Sequence, residues 1–191
     1  MKDLSLHLFD ILENSVKAGA TRLRLEFWLD RSRLHLRITD NGPGFPATML
    51  EHAADPFCTT RTERPVGLGL ALLRESAEAT GGRLDVSNNS QGGACVEAFF
   101  DMSHIDARPL GDIIGTVVGY FVAWPQIDLE MVLGQGAHAE VVFDSAAIRS
   151  ELDGVDPGHP QVQKFIRDML NEAMSEFVAR VNGILIKTDW N

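Results

Sequence analysis

Leu34-His35-Leu36-Arg37-Ile38-Thr39-Asp40-Asn41-Gly42-Pro43-Gly44-Phe45 is the stretch on which the reading of the fold turns. Leu34, Leu36 and Ile38 alternate with polar residues, the pattern of a half-buried strand. The same period of two puts Asp40 on the core-facing side. A carboxylate at the inner end of an apolar row is costly unless donors reach it. Two readings of Asp40 stand. It caps the turn Asn41-Gly42-Pro43-Gly44, or it waits for a ligand donor such as an exocyclic amino group. In the second case Gly42 and Gly44 would let a flat ring approach the backbone.

On the N-terminal side, Leu23, Leu25, Phe27 and Leu29 alternate with Arg22, Arg24 and Glu26. This is a second strand, joined to the first through Asp30-Arg31-Ser32 as a hairpin. Before it, Leu4, Leu8, Ile11 and Leu12 follow helical spacing over Leu4–Ala18, and Gly19 stops the helix. His7, Asp10, Asn14 and Lys17 share another stripe of that helix, either a solvated face or part of a site. On the C-terminal side, a short helix is predicted over Ala47–Ala54, a loop over Asp55–Val66, and a helix over Leu68–Thr80 ending at Gly81-Gly82. Strands follow at Arg83–Asn88 and Ala94–Asp101. An antiparallel-rich sheet with helices on one face is the natural two-layer arrangement, an α+β fold.

Val66-Gly67-Leu68-Gly69-Leu70 opens the helix after the loop. Glycine turns at helix N-termini expose amides and the positive dipole end, which suits phosphate. The stretch is neither a P-loop nor a dinucleotide fingerprint, because the further glycine and lysine positions are missing.

The order and spacing of these segments resemble the GHKL superfamily, the Bergerat-type ATP-binding fold of gyrase, MutL, the large heat-shock chaperone and histidine kinases. Asp10-Ile11-Leu12-Glu13-Asn14-Ser15-Val16-Lys17-Ala18-Gly19-Ala20 resembles the N box, and Asp40–Phe45 the first glycine box. Asp55-Pro56-Phe57-Cys58-Thr59-Thr60-Arg61 resembles the F box of histidine kinases, and Val66–Ala71 with Gly81-Gly82 their second glycine box. The resemblance implies a two-layer α/β sandwich of Bergerat type over residues 1–102. It implies ATP and Mg²⁺ as ligands. Asn14 would ligate the metal, Asp40 would accept the adenine amino group, and Gly42 and Gly44 would line the base. Gly67, Leu68, Gly69 and Leu70 would wrap the phosphates. Phe57–Gly67 would be a short lid carrying Thr59, Arg61 and Arg64, and Lys17 would contact a phosphate. Asp10 stands where ATPases of the superfamily carry Glu and many histidine kinases carry Asn. It is the candidate general base, with His7 one turn earlier to orient it. Ala94 after Gly93 departs from the Thr common there. No phosphoacceptor hairpin precedes the N box, so the expected class is a stand-alone ATPase or a serine/histidine kinase like the anti-sigma factors. The other expectation is a nucleotide-switched interaction module, which the resemblance associates with redox or hydrogenase systems.

Residues 103–191 are expected to form a C-terminal α+β extension without a motif that implies chemistry. It reads as a helix over Pro109–Trp124, strands near Ile127–Leu133 and His138–Asp144, a short capped helix to Leu152, and a last helix over Gln161–Val181. That last helix presents Phe165, Ile166, Met169, Leu170, Ala173 and Phe177 on one side. The hairpin would extend the sheet or pair with another chain. Gly111, Gly115, Gly119 and Ala123 recur every four residues, for close packing within the chain or for a partner surface, including a homodimer.

The bulk properties restrict the function classes. The 191 residues suffice for one compact domain with a core plus an appendage. A formal charge of −10 repels nucleic acid. Two cysteines without CxxC spacing, Cys58 and Cys95, and no apolar leader point to a cytoplasmic protein. No apolar stretch is long enough to span a bilayer, so the expected partners are ATP and an unidentified protein.

Overall fold

The computed structural model of the chain describes residues 3–48, 50 and 68–188. Its elements are α1 (Leu4–Lys17), β1 (Arg22–Asp30), β2 (Arg33–Asp40), α2 (Leu68–Glu78), β3 (Arg83–Asn88), β4 (Ala94–Asp101), α3 (Ile113–Ala123), β5 (Asp128–Gln135), β6 (His138–Asp144), α4 (Ser145–Glu151) and α5 (Pro160–Thr188). Of the helix predicted over Ala47–Ala54, the described residues Ala47, Thr48 and Leu50 are helical, and the remainder lies outside the described residues.

The strands form one sheet in the order β3-β4-β2-β1-β5-β6. β1 and β2 are the predicted hairpin, with Leu25 opposite Ile38 and Phe27 opposite Leu36. β4 pairs antiparallel with both β2 and β3. β5 adds to the free side of β1 in parallel, and β6 returns antiparallel beyond it. The predicted hairpin of the C-terminal part therefore extends the sheet within its own chain.

One face of the sheet is apolar because alternation sends Leu23, Leu25, Phe27 and Leu29 of β1 to the same side as Leu34, Leu36 and Ile38 of β2. Leu8 and Leu12 of α1, Leu73 of α2, Val117 and Phe121 of α3, and Ile166 and Leu170 of α5 complete one continuous core with them. The result is a two-layer α+β sandwich. The opposite face carries ion pairs, among them Arg24 with Glu26 and Glu130, and His35 with Glu97. On that face Phe99 stacks against His35 at 4.3 Å, with Arg83 4.1 Å from its ring centre.

Three details of the predicted helices change. α3 begins at Ile113, not at Pro109, because Asp112 caps it by accepting from the Gly115 amide at 2.7 Å. Gly111, at φ +74°, turns the chain before the cap, and Leu4 N–H holds the segment through the Pro109 carbonyl at 3.1 Å. The small residues do not form one packed helical stripe: Gly111 precedes the helix and lies close against the Asp3 side chain, whereas Gly119 and Ala123 are exposed. α5 runs longer than predicted, and its buried seam is Val162, Ile166, Leu170, Met174, Phe177 and Val181. Phe165 and Ala173 face solvent, because the helix is rotated by about one residue from the predicted face.

His7 is not on a solvated stripe. It is fully buried where α1 meets α2, with Nε2 3.2 Å from Ser76 Oγ. Ser76 gives its own proton to the Leu72 carbonyl at 2.8 Å. Nε2–H is therefore the donor to Ser76, and Nδ1 is left as a buried acceptor without a partner among the described residues. His7 makes no hydrogen bond to Asp10, so it does not orient that carboxylate as expected.

Burial, then the positive charge of Arg108, push the His7 pKa below its ordinary 6.5. The unfolded chain then binds a proton near pH 6.5 that the folded chain refuses until lower pH. Stability contributed by neutral His7 is present above that pH and lost as pH falls. Urea denaturation of wild type should lose up to about 1.4 kcal/mol per pH unit below pH 6.5 relative to His7→Gln. Parallel pH profiles for the two proteins would contradict this. A second test concerns α5, whose Phe177 ring meets Phe27 edge-on at 6.2 Å. Phe177→Ala should cost about 3–5 kcal/mol in the same assay.

Candidate functional site

Asp40 ends the inward row of β2 and keeps 9% of its surface exposed. Its Oδ1 accepts from the Gly42 amide at 2.9 Å and the Ala94 amide at 3.0 Å. Its Oδ2 accepts from Ser15 Oγ at 2.6 Å. Donors from α1, from the turn after β2 and from the start of β4 thus offset the cost of burying the charge. Asp40 both caps its own turn and stands in a buried frame. Tyr120 of α3 is buried, its hydroxyl without a hydrogen-bond partner among the described residues, and its ionisation is pushed up by burial and then by the negative charge of Asp40.

Three asparagines hold the turn in place. Asn41 Oδ1 accepts from the amides of Thr21 and Arg22, both at 2.8 Å, tying the turn to β1. Asn88 bonds the amide and the carbonyl of Phe45 at 2.7 and 3.0 Å. Asn89 donates to the Asp40 carbonyl at 2.8 Å and accepts from the Gly93 amide at 3.1 Å. The chain approaches itself so closely here that a Cβ on Gly93 would lie 1.9 Å from the Asp40 carbonyl oxygen. Gly44, at φ +72°, would place a Cβ 2.4 Å from the Gly92 oxygen. The absent side chain of Gly44 therefore makes room for the chain's own backbone.

Asp10 and Asn14 are half-buried on α1. A Cβ on Gly69 would come within 2.6 Å of the Asp10 Cβ, so the carboxylate sits against the glycine turn that opens α2. Neither side chain has a hydrogen bond among the described residues. Asp10 and Ser15 are five residues apart, about 7.5 Å along the helix axis. α1 thus spans from the Gly69 turn to Asp40. Lys17 is exposed and pairs with Glu13 at 3.0 Å. Leu68, Gly69 and Leu70 begin α2. Cys58, Thr59, Arg61, Arg64 and Gly67 lie outside the described residues, as does the predicted lid. A shallow open recess also touches Asp40, on the other face of the sheet. Of its lining charges Arg24 pairs with Glu130 and Asp128 with Arg149, and the motif residues of α1 and α2 are not part of it.

Sequence reasoning missed Ser15, Asn88 and Asn89. Ser15 had a signal: it continues the stripe Leu4, Leu8, Ile11, and a hydroxyl on an apolar stripe needs a partner. The asparagines had only their position beside Gly92-Gly93.

A protein-family model described as "Histidine kinase-, DNA gyrase B-, and HSP90-like ATPase" matches residues 2–104, more than half of the chain. The chain is similar to the C4-dicarboxylate transport sensor protein DctB of Pseudomonas aeruginosa, 43% identical over 81 residues, 42% of this chain and 13% of that protein. It is similar to the signal transduction histidine-protein kinase AfsQ2 of Streptomyces coelicolor, 33% identical over 95 residues, 48% of this chain and 18% of that protein. It thus spans under a fifth of the length of these relatives. Among solved structures, the N-terminal domain of a DNA repair protein superposes with a TM-score of 0.50 at 13% identity, covering 75% of this chain and 53% of that one. That likeness is one of fold, and part of it lies beyond residue 104. The chain belongs to the histidine kinase-, DNA gyrase B- and HSP90-like ATPase family, with its ATP-binding domain of histidine-kinase type in residues 2–104.

Proposed function

We propose that the chain binds Mg·ATP and either hydrolyses it slowly or transfers its γ-phosphoryl group to a protein. The observation that carries this reading is the buried Asp40 carboxylate, held in a frame of three donors at the end of β2. The adenine amino group donates to Asp40 beside Gly42. The phosphates are bound by Gly67, Leu68, Gly69 and Leu70, where the first amides of α2 and its dipole favour negative charge.

Asn14 fits a Mg²⁺ ligand: its side chain is half-buried, without a described hydrogen bond, and on the Asp10 face of α1. Among the described residues no cluster of His, Cys, Asp and Glu forms a protein cage for a cation. An ion held by Asn14 would take its remaining ligands from phosphate and water. When bound, the metal neutralises charge on the phosphates. Asp10 takes the proton from the attacking oxygen, which belongs to water in hydrolysis or to a protein side chain in transfer. The γ-phosphorus–oxygen bond to ADP breaks as the new bond forms. Lys17, Thr59 and Arg61 supply further phosphate contacts.

A second reading is a nucleotide-switched interaction module. The contact of the short Asp10 side chain with Gly69 favours it, because that carboxylate reaches one methylene less far than Glu. In either reading residues 103–191 act as an extension of the 1–102 unit, and the partner is a protein. The charge of −10 argues against nucleic acid. No described helix is long and apolar enough to cross a membrane.

Phosphate release from Mg·ATP, measured beside ATP binding, tests the reading. Wild type should bind and release phosphate. Asp10→Asn should bind but release at least about 100-fold more slowly. Asp40→Asn should lose binding. Undiminished release by Asp10→Asn would remove Asp10 as base, and ATP binding without release by wild type would favour the switch. Gly69→Ala should slow release, because the added methyl displaces Asp10.

A further inference from the structure

We propose that Ser15 is a positioning residue that fixes the base-reading edge of Asp40 and sets the site's preference for adenine over guanine. The inference rests on the reading that Asp40 receives the adenine amino group.

Ser15 is 8% exposed on the stripe of α1 that otherwise carries Leu4, Leu8 and Ile11. Its hydroxyl reaches across to Asp40 Oδ2 at 2.6 Å, a short charge-assisted bond. An ionised carboxylate offers about four acceptor sites and no donor. Two are taken on Oδ1 by the Gly42 and Ala94 amides, and one on Oδ2 by Ser15. One acceptor position on Oδ2 is left for an incoming ligand. The two amides hold Oδ1 and with it the plane of the carboxylate, and the Ser15 hydroxyl occupies one of the two acceptor directions of Oδ2, so that a ligand meets the other.

The chemistry of the base follows. An exocyclic amino group donates into the remaining position. A guanine carbonyl in the same place is an acceptor facing an acceptor, and buried groups left unpaired are rejected strongly. Without the Ser15 hydroxyl, water takes its place beside Oδ2. Water can turn a proton toward a carbonyl or a lone pair toward an amine, so discrimination weakens.

The test is titration of ADP and GDP into wild type, Ser15→Ala and Ser15→Thr, with the melting temperature of each. Wild type should prefer ADP. Ser15→Ala should bind ADP about tenfold more weakly and lose about tenfold in the ADP-to-GDP ratio. Ser15→Thr, which keeps the hydroxyl, should restore the ratio. Three results overturn the inference. Ser15→Ala with wild-type affinity and ratio removes it while leaving the reading of the site intact. Equal weakening toward both nucleotides, with a lowered melting temperature, makes Ser15 merely structural. Failure of wild type to bind either nucleotide removes the reading of the site itself.

Discussion

A carboxylate buried at the inner end of an apolar strand is the constraint around which this molecule is arranged. Asp40 sits where the β2 row of Leu34, Leu36 and Ile38 would otherwise continue. Its charge is tolerable only because three elements deliver donors to it. α1 must lie close enough for Ser15 to reach. The turn after β2 must fold back for Gly42. β4 must start beside β2 so that the Ala94 amide points inward. Gly93 is required by the same approach, since any side chain there would enter the Asp40 carbonyl.

From that anchor α1 acts as a ruler. Ser15 meets Asp40 at one end, and Asp10 meets the Gly69 turn of α2 toward the other. Asn14 lies between them on the helix. His7 continues the contact to α2 through Ser76. A shift of α2 would therefore be felt at Asp10 directly. The C-terminal part is no detached appendage: β5 pairs with β1 over seven residues, and Tyr120 of α3 is buried within the influence of Asp40. Residues beyond the family match complete the core on which the site rests.

Much of this was legible in the residues, and the limits have physical causes. The strands β1 to β4 were readable nearly to the residue, because one covered face imposes strict alternation. α1 was readable as a helix, yet its buried circumference was not. Packed on the sheet and against both α2 and α3, it hides His7 as well as the Leu stripe, and periodicity reports only one face. α5 was misjudged by one residue for a related reason, since Phe165 is as apolar as the residues that pack. The start of α3 turned on a cap by Asp112 and on Gly111, local features that an apolar run conceals. Asp40 stood out as misplaced on its strand. Its partners did not, because Ser15 and Ala94 are separated from it by 25 and 54 residues in sequence.

A nucleotide bound between Asp40 and the start of α2 would change the surroundings of both. The most direct measurement is the shift of backbone amide resonances when Mg·ATP is added to ¹⁵N-labelled protein. Saturable shifts concentrated at Gly42, Ala94 and Gly69, together with the side-chain amide of Asn14, are the expected result. Unmoved resonances at those positions, with shifts confined to Arg22, Glu130 and Asp144 around the other recess, would mean that no nucleotide binds between Asp40 and α2.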